Sequence, residues 1–245
     1  MQELKGCKRK PRRTLSSKMT NLQAAKRKAC KIYLPPLYSI KDKFPPVYTQ
    51  RYGNCTSNAA LGCDDMIYHG SGAWIPSTTF TYFNQKRKEK PMEDDGSSIE
   101  MALKMIKRYG ACNSTVWAND MPYDQKPSDE AYADGLKGKE IKRWYELKNL
   151  TQIKQALVSG YPVAAAMSWA FKGYSSNYIL INPTKREIDR AAGHAVVIVG
   201  YDDNRKLVEI RNSWSSEWAN NGYAYISYSA LKMCIWWDDT YAVTR

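Results

Sequence analysis

The sequence predicts an α+β chain with its helices in the first half and its strands in the second. Two observations carry that reading. Apolar residues recur at helical spacing between Cys55 and Gly110, and short runs rich in Val, Ile, Tyr and Ala alternate with turn residues after Gly160. The segregation implies a helical lobe over about residues 50–135 and a β lobe over about residues 136–245. A cleft between two lobes is a natural place for an active site.

The globule begins after a charged leader. Residues 1–31 carry 11 of the 37 Lys and Arg and only one of the 24 acids, so most of the net charge of +13 sits there. Residues 1–32 therefore read as a basic arm, which buries too little apolar surface to order itself, and 33–245 as one nearly neutral domain. Pro35, Pro36, Pro45 and Pro46 predict an extended, non-helical connector. Gly53-Asn54 then breaks the chain before a helix opening at Cys55. Its stripe is Ala59, Cys63, Met66 and Ile67, and it ends near Gly70. A second helix spans 97–109, capped by Ser97 or Ser98 and stopped by Gly110; a third spans 150–159 and runs into Gly160. The strands expected are Pro162–Ser168, His194–Tyr201, Lys206–Arg211, Gly222–Tyr228 and Thr240–Thr244.

Several classes are excluded. The longest uncharged, largely apolar stretch, Tyr161–Phe171, has 11 residues against the ~20 that span a bilayer, so no membrane helix is expected. The basic N-terminus lacks the apolar core of a secretory signal, which points to the cytoplasm, the nucleus or a virion. No repeat of 20–50 residues occurs. Six cysteines form no CxxC pair and only two histidines exist, so no zinc site, other metal or cofactor is expected. Of the sequons at Asn54, Asn113 and Asn149, a glycan on the first would cover Cys55. That favours a reducing compartment with free thiols.

With two histidines, imidazole chemistry must use His69 or His194. His69 lies 14 residues beyond Cys55 on the same helix, roughly 21 Å along its axis, and cannot touch it. His194 follows Gly193 and opens a strand, where a histidine is ordinarily a core or rim residue. Cys55 could be a small buried hydrophobe, but its place in the first turn of a helix favours a thiolate. It is thus expected to be an accessible thiol of low pKa. Asn212 ends an alternating strand, ordinarily a turn position, and precedes Ser213-Trp214.

Taken together, these segments resemble the papain-like cysteine peptidases, in the style of bacterial and viral members. Gly53-Asn54-Cys55-Thr56-Ser57-Asn58-Ala59 is similar to their nucleophile segment, Gly193-His194-Ala195-Val196 to their histidine segment, and Arg211-Asn212-Ser213-Trp214 with Trp218 and Asn221-Gly222-Tyr223 to their asparagine segment. Lys43–Gln50 resembles their extended lead-in. The resemblance covers about residues 33–245 and implies a two-lobe fold, a helical lobe followed by an antiparallel, barrel-like β lobe. It implies Cys55 as nucleophile, His194 as base, Asn212 orienting the imidazole, Trp214 shielding that pair, and Gln50 with the Cys55 backbone N–H as an oxyanion hole. Arg51-Tyr52 replaces the family's glycine, and Gln50 stands one residue closer to the cysteine than in the family pattern.

The function so implied is endopeptidase cleavage of a polypeptide through a thioester acyl-enzyme, by a monomer unless the chain belongs to a larger assembly. The alternative is a catalytically silent papain-fold structural or virion-associated protein. In either case residues 1–31, with Lys8-Arg9-Lys10, Arg12-Arg13 and Lys26-Arg27-Lys28, could dock nucleic acid or an acidic protein. A transglutaminase-like or amidase activity would use the same triad. Trp74, Met92 and Trp169 are candidates for subsite walls.

Overall fold

The computed structural model describes residues 6–9, 32–69, 74–89, 91–137, 141 and 143–244. Most of the basic arm, including Arg12-Arg13 and Lys26-Arg27-Lys28, lies outside the described residues. Seven helices are found among them: α1 (Cys55–Tyr68), α2 (Thr78–Lys86), α3 (Ile99–Tyr109), α4 (Asp129–Lys137), α5 (Leu150–Val158), α6 (Lys185–Arg190) and α7 (Tyr228–Cys234). The strands are β1 (Leu37–Ser39), β2 (Arg143–Glu146), β3 (Val163–Ser168), β4 (Gly193–Asp202), β5 (Leu207–Arg211), β6 (Tyr223–Ser227) and β7 (Ile235–Thr244). All strand pairs are antiparallel, in the order β2-β7-β3-β4-β5-β6, with β1 branching onto β4. Helices α1 to α4 precede most of the sheet, as the composition of the two halves implies.

Helix α1 is the spine. Every residue from Cys55 to Ile67 is buried, although the apolar stripe alone would cover one face. The helix is sandwiched between β4 on one side and α2 and α3 on the other. Burial of Thr56, Ser57 and Asn58 is tolerated because each finds a partner. Ser57 Oγ donates to Gln85 Oε1 of α2, Gln85 Nε2 donates to Thr56 Oγ1 at 3.1 Å, and Asn58 Nδ2 donates to the Asn54 carbonyl at 2.9 Å. Helix α3 begins where a serine cap is expected: Ser98 Oγ accepts from Met101 N at 3.2 Å, and Gly110 ends it at φ 74°.

The connector departs from the extended course expected of it. Lys41–Lys43 form a 3₁₀ turn, with Phe44 N donating to the Lys41 carbonyl at 3.0 Å. The turn holds no proline, so the Pro35-Pro36 and Pro45-Pro46 pairs restrict only its flanks.

Beyond that turn the connector is pinned by a buried cation. The Arg211 guanidinium, 2% exposed, donates to the Pro46 carbonyl at 2.6 Å and lies over the Tyr48 ring at 4.5 Å. Tyr48 Oη in turn donates to Asp65 Oδ2 of α1. Burial pushes the Asp65 carboxyl up to about 7, against the opposing pull of the Tyr48 hydroxyl and the Arg211 charge. Lead-in, nucleophile helix and the strand before Asn212 are thus tied at one point. Arg211→Met should cost about 3–5 kcal/mol, because it leaves Asp65 without its cation. The loss should be larger at pH 8 than at pH 6, since only the ionised carboxylate needs Arg211. Urea unfolding at both pH values checks this; a cost below about 1 kcal/mol at pH 8 would contradict it.

Candidate active site

Cys55 is the first residue of α1, so its Sγ lies at the helix's positive end. The N–H groups of Thr56 in the same helix and of Ala195 on β4 point at that sulfur and favour its charged form. His194 is the second residue of β4, next to Ala195, and Asn212 immediately follows β5. Antiparallel pairing of β4 with β5 brings the last two together: His194 Nε2 donates to Asn212 Oδ1 at 2.8 Å. Asn212 Oδ1 also accepts the Ser213 N–H at 2.8 Å, so the carboxamide is clamped from two sides. This leaves His194 Nδ1 as the nitrogen without the ring proton.

Two tryptophans enclose the imidazole. Trp214 lies at 4.9 Å between ring centroids, tilted by 34°, and Trp169 meets it edge-on at 4.8 Å. Trp218 packs against both. Trp214 stands where the motif puts it. Trp169 enters because Trp169 N donates to the Ala192 carbonyl, which carries the end of β3 past His194. Only the Trp169 ring's place in an apolar run hinted at this. Trp74 stacks on His69 at 4.1 Å, at the far end of α1, and Met92 lies half-buried between α2 and α3.

Gln50 is buried and tied down. Its Nε2 donates to the Tyr52 carbonyl at 3.1 Å, its Oε1 accepts from Ser213 Oγ, and its backbone N–H donates to the Ser213 carbonyl at 2.9 Å. The side chain therefore bridges the lead-in of Cys55 and the residue after Asn212.

The site is covered by the chain's own N-terminal segment. Gly6–Arg9 run between Ser97 and Gly193: Cys7 N donates to the Gly193 carbonyl at 3.1 Å and Lys8 N to the Ser97 carbonyl at 2.8 Å. Three glycines make this approach possible. A Cβ on Gly6 would stand 2.5 Å from Cys55 Sγ, one on Gly96 would stand 2.6 Å from the Gly6 carbonyl, and one on Gly193 would stand 2.1 Å from the Cys7 carbonyl. Arg9 lies over Trp236 at 5.6 Å, and Lys8 Nζ pairs with Asp95 Oδ2 at 2.6 Å. This part of the basic leader is docked in the cleft.

The cover corrects the expectation of an accessible thiol of low pKa. Cys55 is fully buried, and burial pushes its thiol up to about 12 despite the N–H groups aimed at it. His194 is 4% exposed, and burial pushes its imidazole down to about 4, against the pull of the Asn212 bond. At neutral pH both groups are uncharged. Cys63, Cys112 and Cys234 are likewise buried free thiols, and Cys7 is buried. Among the described residues no group of His, Cys, Asp or Glu could hold a metal ion, and no helix is long and apolar enough to cross a membrane.

The family model of the papain family cysteine proteases matches residues 54–244. The chain belongs to that family. A protein of Acanthamoeba polyphaga mimivirus, described as an uncharacterized peptidase C1-like protein, is 32% identical over 193 residues, covering 72% of this chain and 62% of its own. Mouse procathepsin L is 24% identical over 202 residues, 77% of this chain and 58% of its own. The chain thus spans less than two thirds of either relative. Xylellain, a cysteine protease from Xylella fastidiosa, superimposes with a TM-score of 0.75 at 27% identity, over 86% of this chain and 87% of its own. A digestive procathepsin L 3 of Tenebrio molitor shares the fold, with a TM-score of 0.65 at 16% identity, over 88% of this chain and 71% of its own.

A packed glycine over the sulfur makes an accessibility prediction. In the native chain, iodoacetamide should label Cys55 no faster than Cys63. Gly6→Val, which cannot keep its backbone beside Cys55 Sγ, should accelerate labelling of Cys55 at least about tenfold and leave Cys63 unchanged. Mass spectrometry of the labelled peptides reads both rates; fast labelling of Cys55 in the unaltered chain would contradict the closed cleft.

Proposed function

We propose that the chain is a cysteine endopeptidase working through Cys55, His194 and Asn212, and that it is silent while Gly6–Arg9 fill its cleft. The observation that carries the reading is the 2.8 Å bond between His194 Nε2 and Asn212 Oδ1. It fixes the tautomer in which Nδ1 can take a proton from a neighbouring thiol. Trp214 and Trp169 keep water from that bond, so it retains its strength as the ring charges.

The chemistry then runs in two halves. His194 Nδ1 takes the Cys55 proton, and the thiolate attacks the carbonyl carbon of a bound polypeptide. The imidazolium protonates the departing amine, which leaves a thioester on Cys55. Water, deprotonated by His194, cleaves the thioester and regenerates the thiol. Charge on the carbonyl oxygen is met by the Cys55 backbone N–H and by Gln50. One amide hydrogen of Gln50 is held by the Tyr52 carbonyl, and the second is the one able to serve the oxyanion.

Burial accounts for the restraint. With the segment in place, the neutral thiol and neutral imidazole are favoured. Once it leaves, solvent or a polar substrate lowers the cost of charge, the thiol's pKa falls and the imidazole's rises. The backbone donors already aimed at Sγ then favour the thiolate.

Cleavage of a fluorogenic peptide by the full chain carrying Gly6→Val tests this. Adding Cys55→Ala should abolish turnover, and adding Gln50→Ala should lower kcat by roughly 10²–10³ with little change in KM. A Gly6→Val chain whose Cys55 labels rapidly but which cleaves no peptide would instead support the catalytically silent papain-fold protein.

A further inference from the structure

Lys8 occupies a slot that its own side chain does not build. The slot is made by Glu89, just after α2, and Asp95, in the loop leading to α3. Lys8 Nζ lies 2.6 Å from Asp95 Oδ2 and 3.4 Å from Glu89 Oε2. A second cation stands behind the same two carboxylates. Lys86 Nζ, on a fully buried side chain, donates to Asp95 Oδ1 at 2.6 Å, Glu89 Oε2 at 2.8 Å and the Gly96 carbonyl at 3.0 Å. Ser97 Oγ also donates to Glu89 Oε1 at 2.6 Å.

The charges do not balance without an occupant. Among the described residues two carboxylates face one built-in ammonium, so there the slot carries one unmatched negative charge when Lys8 is absent. Lys86 can be explained structurally: it is buried, and it ties α2 to the turn at Gly96. Lys8 cannot, because its side chain is 42% exposed and its segment lies in the cleft beside Cys55. The backbone contacts beside the slot are of the kind any extended peptide makes. The Gly193 and Ser97 carbonyls accept the successive N–H groups of Cys7 and Lys8, and neither contact depends on a side chain.

We propose that Glu89 and Asp95 form a specificity subsite for a basic side chain of the polypeptide substrate, and that Lys8 is its resident competitor. The inference rests on the endopeptidase reading above. The carboxylates discriminate by charge. A Lys or Arg side chain completes the pairing that Lys86 leaves open, a neutral one leaves it open, and an acidic one adds a third negative charge. The slot is one quarter to one third exposed at its carboxylates, so solvent screening keeps the preference moderate.

Full-length chain carrying Gly6→Val is assayed with peptides in which Lys, Gln or Glu is placed at each position on either side of the scissile bond in turn. At one position the Lys peptide should exceed its Glu counterpart in kcat/KM by about tenfold, with Gln between them. Asp95→Asn should bring that ratio close to one. Glu89→Gln should reduce the ratio by a smaller factor and gives the same comparison should Asp95→Asn fold poorly. The same ratios are measured as peptide affinities in the Cys55→Ala, Gly6→Val chain. A charge preference in binding without turnover sustains the subsite and counts against the peptidase reading alone. A preference that survives both carboxamide substitutions, or no preference at any position in either assay, overturns the proposal.

Discussion

Desolvation of Cys55 and His194 is the constraint on which the rest of the molecule depends. A thiol at a helix N-terminus, with backbone N–H groups aimed at its sulfur, is arranged to ionise. Here its burial outweighs those donors and holds it neutral. The imidazole is held neutral by the same cause, since ring contacts with Trp169 and Trp214 replace water. In the proposed function the switch is therefore whether Gly6–Arg9 cover these two groups, with Cys55, His194 and Asn212 left in place.

The scaffold puts these groups in place by two devices. One is α1, buried along nearly its whole length, which carries Cys55 at the end facing β4. The other is Arg211, which fastens the proline lead-in to the strand that delivers Asn212 and, through Tyr48, to α1. Gln50 adds a link between the same two segments through Ser213. A buried cation in that position costs desolvation, and its bonds to the Pro45 and Pro46 carbonyls make the geometry at the top of the sheet hard to deform.

Much of this was legible in the sequence because it is local chemistry. Cys55 after Gly53-Asn54, His194 after Gly193 and Asn212 before Ser213-Trp214 announce their backbone settings, and three of the helices announce their caps and stops. The helix at Thr78–Lys86 was less legible because TTFTYFNQK shows little amphipathic contrast and is buried along its whole length, while Asp129–Lys137 buries only Ala131 and Gly135 and Tyr228–Cys234 only Ala230, Leu231 and Cys234. Helix Lys185–Arg190 did carry a signal, the Thr184 and Glu187 capping box. The two short strands Leu37–Ser39 and Arg143–Glu146 exist only through pairing with β4 and β7. Least legible was Gly6–Arg9. Its composition is that of a solvated tail, and only the distant carbonyls of Ser97 and Gly193 and the carboxylates of Asp95 and Glu89 give it a place.

His194 reports the central claim directly, and with only His69 besides it the imidazole resonances are simple to assign. Proton NMR titration of the intact chain should find one histidine titrating near 4, because burial disfavours its charged form. In the Gly6→Val chain the same resonance should move to about 6.5 or above, the ordinary value and beyond, as solvent and the thiolate stabilise the imidazolium. A His194 that titrates at or above about 6.5 in the intact chain would contradict the account, since the pair would then be open to water or already charged beneath the segment.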